Sequence, residues 1–418
     1  MLYLKKFELP TGIVIGHNTG NTMVKDNNES TGLFEPLMVS ASSPYKEELN
    51  DLAVDLVAQA AAFQSSLPKS IASSLVELIR SMNCYYSNLI EGHNTHPIDI
   101  ERALNDDYSS NPEKRDLQLE AKAHIAVQKW IDEDGLTEPP FSPTMTQEIH
   151  RRFCEQLPPE LLFVEMPETS ERIPVIPGAF REKDVKVGHH VAISPGAIPR
   201  FMDRMNEVYS NAGRIESILA AGYAHHRLLW IHPFVDGNGR TARLISYAML
   251  RNSLNTTGLW SVARGLARKE AEYKRHLQAC DATRHGDHDG RGTLSEAALA
   301  SFTKFFLQVC IDQIQFMINL MKPERLKDRI VLWAEEEIRA GRLAPKSDAV
   351  LRAILYRGEL ERGEVAEILG VSDRTARRVT ATLIESGALK SASSRAPLRI
   401  AFPATLASRW MPGLFPEQ

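Results

Sequence analysis

Residues 232–243 read HPFVDGNGRTAR and sit between two apolar helical patterns. The stretch demands a helix-loop-helix corner. Pro233 disfavours helix at the residue before it, so "LLWIHPF" ends one helix and "RTARLISYAML" begins the next. Asp-Gly-Asn-Gly forms the turn, and Gly237 and Gly239 permit positive φ, so that successive backbone N–H groups can converge on an anion. That nest opens onto a helix N-terminus, where the dipole also favours negative charge. Arg240 and Arg243 lie three apart and share a helix face, and Asn238 can donate from its amide. Asp236 is a hard oxygen ligand suited to a Mg²⁺ carried on phosphates. His232, at the rim, can take a proton from a hydroxyl. An ordinary polar turn also favours Asp, Gly and Asn, but it has no need of a histidine and two arginines in this order.

The chain around the corner is mostly helical. "EELNDLAVDLVAQAAAFQSSL" and "SIASSLVELIRSMNCYYSNLIEG" carry apolar residues at three-to-four spacing, the second stopping at Gly92. Further helices fit 97–105, 113–133, 142–156, 195–211, 268–283 and 293–320, with a connecting helix from "MKPERLKDR". Residues 171–194 mix Pro and Gly with β-branched alternation and predict a hairpin. The expected organisation is an N-terminal extension over 1–45, partly irregular or β; a helical region over 46–110; a catalytic core over 111–322; a connecting helix over 323–345; and a small domain over 346–418. The 418 residues carry a net charge of -4, which argues against a chain that coats nucleic acid wholesale. Four scattered cysteines, Cys84, Cys154, Cys280 and Cys310, read as reduced thiols rather than a disulfide frame or zinc site, and so as cytoplasmic. No apolar run approaches the ~20 residues of a membrane span, and "MLYLKKFELP" is too short and interrupted for a signal peptide.

HPFVDGNGRTAR resembles, at every defined position, the HxFx[D/E]GNGRxxR signature of the Fic (filamentation induced by cAMP) family. The resemblance implies a mainly α fold: a Fic-type helical core with a β-hairpin flap. It also implies a protein adenylyltransferase that moves AMP from MgATP to a Ser, Thr or Tyr hydroxyl. His232 would be the base and Asp236 the Mg²⁺ ligand. Gly237, Asn238, Gly239 and Arg240 would cradle the α- and β-phosphates, and Arg243 would hold the γ-phosphate. A related family that phosphorylates instead carries a lysine within the glycine segment; this chain has Gly237 and Gly239 there, so nucleotidyl transfer is expected.

Upstream, "SNLIEG" resembles the family's inhibitory motif [S/T]xxxE[G/N], with Ser87, Glu91 and Gly92 in the defined positions. Glu91 at a helix end would pair with Arg243 in bidentate fashion and take the arginine meant for the γ-phosphate. The resemblance also admits removal of AMP by water aligned on Glu91. "PGAFR" and the Val-Lys-Val alternation resemble the family's flap, whose edge would align a target segment by strand addition. His189 and His190, adjacent on a strand, point to opposite faces and read as exposed polar residues; His225 and His226 read as structural or rim residues. "DHDGRGTLSE" fails as a calcium loop at Arg291 and Ala298 and reads as a loop before a helix start at Ser295.

"RGEVAEILGVSDRTARRVTATLIESGALK" follows a different grammar. A short helix closes at Gly370, and a second starts at Ser372 and ends at Gly387. With "ALKSASSRAPLRIAFP" as a two-stranded wing, it resembles a winged helix-turn-helix domain. Arg374, Thr375, Arg377 and Arg378 would meet DNA, though such domains also dock proteins. The expected partners are a target protein, the chain itself through autoAMPylation, DNA, and a second copy in a homodimer. The alternatives are a DNA-binding transcriptional regulator whose Fic core senses nucleotide without catalysis, and a toxin-like protein silenced by a partner. Intact His232 argues against the first, because sensing needs no base; an inhibitory motif within the chain argues against the second.

Overall fold

The computed structural model describes residues 13–15, 24–166, 170–255 and 258–416, so most of the first 23 residues assigned to an irregular or β extension lie outside it. The chain begins with β1 (Ile13–Ile15), and residues 24–45 follow as extended segments around a 3₁₀ turn at Thr31–Phe34. Phe34, Leu37 and Val39 bury themselves against the helices.

Five helices come next: α1 (Lys46–Ser65), α2 (Lys69–Ile90), α3 (Pro97–Leu104), α4 (Pro112–Asp132) and α5 (Pro143–Cys154). The last three start where Pro occupies the first turn, and Asn111 and Ser142 accept backbone N–H groups as N-caps of α4 and α5. The strands β2 (Phe163–Glu165), β3 (Arg172–Pro174), β4 (Val185–Val187) and β5 (His190–Val191) follow. The single hairpin expected over 171–194 divides. β3 pairs backwards with β2, while β4 and β5 form their own hairpin around Gly188 and His189. β1 adds to the outer edge of β4, Val14 opposite Lys186.

The core then continues through α6 (Ile198–Ser210), α7 (Arg214–Ile231), α8 (Asn238–Leu254), α9 (Val262–Arg268), α10 (Glu270–Cys280) and α11 (Glu296–Leu320). α7 and α8 pack closely as the two arms of the corner; α11 crosses α1, α7 and α9, and α2 lies between α4 and α9. α9 is absent from the sequence pattern because Gly265 dilutes it. A Cβ there would fall 2.4 Å from Val309 Cγ1, so the glycine lets α9 approach α11. α11 starts at a Ser295 cap, as expected.

α12 (Pro323–Arg339) leads to α13 (Ser347–Arg357), β6 (Glu359–Leu360), α14 (Val365–Leu369), α15 (Asp373–Glu385), β7 (Leu389–Lys390), β8 (Leu398–Ile400) and α16 (Ala404–Trp410). The sheet order is β6-β8-β7, antiparallel throughout. Gly370, at φ 58°, makes the turn between α14 and α15. This part grips α2 along its length. Lys390 Nζ meets Glu77 Oε2 at 2.7 Å, and a Cβ on Gly358 would strike Ser70 Oγ at 2.3 Å. The Tyr86 hydroxyl donates to the Leu414 carbonyl at 3.1 Å, and Phe415 packs edge-on against Tyr85. No described helix is long and apolar enough to cross a membrane.

Trp410 is 1% exposed and stacks edge-to-face on Trp333 with centroids 5.1 Å apart. Trp410→Ala is expected to cost about 3–5 kcal/mol in urea unfolding, as for other large-to-small aromatic deletions. A cost below about 1 kcal/mol would show that the ring is not part of the load-carrying core.

Candidate active site

α7 ends at Ile231, and His232 caps it with φ 50°, a left-handed conformation uncommon outside glycine. Arg181 holds it there. That side chain is 2% exposed; its Nε donates to the His232 carbonyl at 2.7 Å and its Nη2 to the Ile193 carbonyl at 2.7 Å. The backbone N–H of Arg181 donates to the Pro233 carbonyl. One arginine of the "PGAFR" segment thus pins the corner to the strands above it.

Beyond His232 the loop closes on itself. Phe234 N donates to Asn238 Oδ1 at 3.0 Å, and Asn238 Nδ2 returns to the Phe234 carbonyl at 2.9 Å. The Asn238 Oδ1 and one Nδ2 proton are therefore engaged within the loop, and its second Nδ2 proton and backbone N–H remain for an anion. Gly237 takes φ 80°, but Gly239 does not; α8 starts at Asn238, two residues before the expected Arg240. Gly239 is glycine for another reason. A Cβ there would lie 2.3 Å from Glu91 Oε1, so the missing side chain admits a carboxylate over the first turn of α8. His150 braces the loop from below, stacked on Phe234 at 3.8 Å; its Nε2 donates to the Asp236 carbonyl at 3.1 Å while its Nδ1 accepts from Gly178 N at 3.0 Å.

Glu91 reaches this point from the C-terminal end of α2, where Gly92 turns the chain away at φ 84°. Its Oε1 meets Arg243 Nη2 at 2.5 Å. The contact is single rather than the bidentate pairing expected, and Ser87 holds the Nε–Nη2 edge of the guanidinium: Nε donates to Ser87 Oγ at 2.9 Å and Nη2 to the Ser87 carbonyl at 3.0 Å. Burial pushes the Glu91 carboxyl up, but Arg243 and Arg240 outweigh it and hold the acid below its ordinary value.

Arg240 faces Asp236, Nη2 to Oδ2 at 3.1 Å, and Glu120 of α4, Nη1 to Oε2 at 3.3 Å. The same Glu120 oxygen lies 2.6 Å from His93 Nδ1. Glu120, His93 and Arg181 escaped the sequence reading. Glu120 sits in "LQLEAKAH", which reads as a polar helix face; the small residues Ala121 and Ala123 beside it were the only sign of burial.

A cavity of about 220 Å³ opens beside these groups, lined by Glu91, His232, Asp236, Gly239 and Arg243 and by Ile90, Trp230, Tyr273 and Leu277. The β4–β5 hairpin contributes Val187 and His190, and His190 Nε2 donates to the Trp230 carbonyl at 2.7 Å, so His190 is a wall residue rather than an exposed one. Both His232 ring nitrogens are buried without a hydrogen-bond partner. Burial, with Arg181 nearby, lowers His232 to about 4, so the ring is neutral and free to accept a proton. His225 is structural, bonded to Ser246 and Tyr273; His226 bonds Asp281 at the cavity wall. Among the described residues no cluster of three or more His, Cys, Asp or Glu could hold a metal by itself. The half-exposed Asp236 carboxylate instead fits an ion brought in on phosphates. Arg374, Thr375, Arg377 and Arg378 lie on α15, away from this cavity.

Residues 140–250 match the Fic/DOC family. Protein adenylyltransferase Fic of Drosophila willistoni is 42% identical over 81 residues, 18% of this chain and 16% of that protein. Its counterpart in Drosophila persimilis is 41% identical over 81 residues. The chain thus spans about a sixth of the length of these curated relatives. A solved Fic family protein from Desulfovibrio desulfuricans G20 shares the fold across 87% of this chain and 98% of its own, with a TM-score of 0.50 and 17% identity.

His232 is expected to titrate by NMR with a midpoint near 4; a midpoint near 6.5 would contradict a buried, unpartnered ring. His150 and His226 are likewise lowered by burial to about 4. The unfolded chain binds these protons more readily than the folded one, so folding stability should fall as pH drops from 6.5 towards 4. Urea midpoints that stay level between pH 7 and 5 would contradict this.

Proposed function

We propose, for a chain whose residues 140–250 are a Fic/DOC domain, that it transfers AMP from MgATP to a Ser, Thr or Tyr hydroxyl of a protein and is restrained by its own Glu91. The observation that carries this is the Glu91 carboxylate over Gly239 and on Arg243. A helix N-terminus with a positive-φ glycine before it favours an anion, and a carboxylate seated there stands where a phosphate would. The relatives named protein adenylyltransferase support the same chemistry.

On this reading the backbone N–H groups of Gly237, Asn238 and Gly239, with Arg240, receive the α- and β-phosphates. Arg243 receives the γ-phosphate once Glu91 leaves. The acceptor hydroxyl lies near neutral His232, which takes its proton as the oxygen bonds to the α-phosphorus. The bond from that phosphorus to the α–β bridging oxygen breaks, and its electron pair departs with pyrophosphate. Asp236 would hold Mg²⁺, which when bound would supply positive charge against the phosphates. Most of the rate then comes from positioning and fixed charge. With Glu91 on Arg243, ATP lacks its γ-phosphate anchor and the α-phosphorus is out of line with the hydroxyl.

For the last 73 residues we propose a winged helix-turn-helix that meets duplex DNA. Arg374, Arg377 and Arg378 lie exposed on α15, and none has an ion pair among the described residues, whereas Arg352, Arg357, Arg399 and Arg409 each face a carboxylate. Unneutralised guanidinium groups on the second helix suit phosphates and base edges.

With α-labelled ATP and Mg²⁺, Glu91→Gly should label protein at least about tenfold faster than the parent chain. Adding His232→Ala should reduce that by roughly 10²–10⁴, the usual contribution of a general base. Equal labelling from γ-labelled ATP, or none with ATP bound, would refute adenylyl transfer. Duplex DNA should bind with an affinity that falls as salt rises, and Arg377→Glu with Arg378→Glu should abolish it. Absence of binding at low salt would leave the module a protein-docking one.

A further inference from the structure

We propose that Glu120 is a positioning residue that fixes Arg240 for the phosphates, and that through His93 it also fastens the segment following Glu91. The inference rests on the adenylyl-transfer reading above. Glu120 lies on α4 and is 3% exposed. A carboxylate so buried costs several kcal/mol unless well paired, so its retention needs a partner that repays it. It has two, both on Oε2: Arg240 Nη1 at 3.3 Å and His93 Nδ1 at 2.6 Å.

Arg240 has three supports: Glu120, Asp236, and the Phe153 ring 4.7 Å below the guanidinium. They differ in permanence. Glu120 is enclosed, whereas the Asp236 side chain is 40% exposed to the cavity and is the group that a metal on the phosphates would draw away. Once Asp236 turns to the metal, Glu120 is the carboxylate left to orient Arg240. Its grip on Nη1 leaves Nη2, which Asp236 holds at 3.1 Å, to meet phosphate oxygens. The substrate arginine is thus held from behind and presented forwards.

His93 stands two residues beyond Glu91, past the left-handed turn at Gly92. The inhibitory segment is therefore tied to α8 at two places: Glu91 directly on Arg243, and His93 through Glu120 on Arg240. Release of Glu91 alone leaves the second tie and the Arg240 geometry intact. Loss of the His93 tie loosens the segment that presents Glu91.

The test uses the full chain. In the Glu91→Gly background, Glu120→Gln should weaken MgATP binding, read by calorimetry, and raise KM for ATP by roughly tenfold or more, as for other displaced positioning groups. The acid limb set by His232 should stay where it was. Glu120→Asp, which keeps the charge but shortens the reach, should fall between the two. With Glu91 intact, His93→Phe should increase labelling several-fold. The proposal is overturned if Glu120→Gln and Glu120→Asp change only the thermal midpoint and leave MgATP affinity and KM at parent values, or if His93→Phe leaves labelling at the parent rate. Should Glu91→Gly itself transfer no label, adenylyl transfer fails as a reading, while the calorimetric comparison still decides the role of Glu120.

Discussion

The structure depends on the corner between α7 and α8, and the corner depends on Arg181. Two residues in six take left-handed backbone there, His232 and Gly237, and only glycine adopts that region without strain. A buried arginine that spends its donors on the His232, Ile193 and Lys183 carbonyls offsets the cost for the histidine. Because the same side chain ties these carbonyls together, His232, the turn at Gly237 and the strands beside Lys183 and Ile193 share one fixed frame. Every group around the cavity inherits its position from that frame.

Within it, charge is arranged in opposed pairs. Two arginines one helical turn apart on α8 each face a carboxylate brought by another helix: Arg243 faces Glu91 of the α2 terminus, and Arg240 faces Glu120 of α4. The pairs are not equivalent. Glu91 sits at a helix end beside a glycine turn and is partly open to the cavity, whereas Glu120 is enclosed mid-helix. A ligand rich in negative charge can compete for the first arginine and leave the second oriented. Low dielectric makes both pairs strong, and makes an arginine left without a counter-charge costly.

Much of this was legible in the sequence, and the remainder was hidden for definite reasons. The local spacing of His232, Asp236, Arg240 and Arg243 carries the corner because a turn and one helix turn fix their geometry. The Glu91 motif lies 152 residues from Arg243, yet its residue pattern announced it. Glu120 had no such pattern, and Arg181 lay in the quoted "PGAFR" segment without a role: tertiary burial is what makes each of them important. Gly239 was read for backbone freedom, and its real constraint is the volume that Glu91 occupies. Asn238 was read as an amide donor, and the loop engages its Oδ1 and one of its two Nδ2 protons. The hairpin divided because pairing partners across a loop cannot be read from alternation alone.

The flap carries one more consequence. β4, whose last residue Val187 lines the cavity, has β5 on one side and β1 on the other. A protein segment arriving by strand addition therefore finds β4 already paired on both sides. A strand tethered within the same molecule is present at an effective concentration on the order of millimolar, which a visitor from solution must exceed or out-pair. For a segment that docked by strand addition, the N-terminal strand would set an affinity threshold: it would have to be displaced, or the segment would have to pair with the two residues of β5.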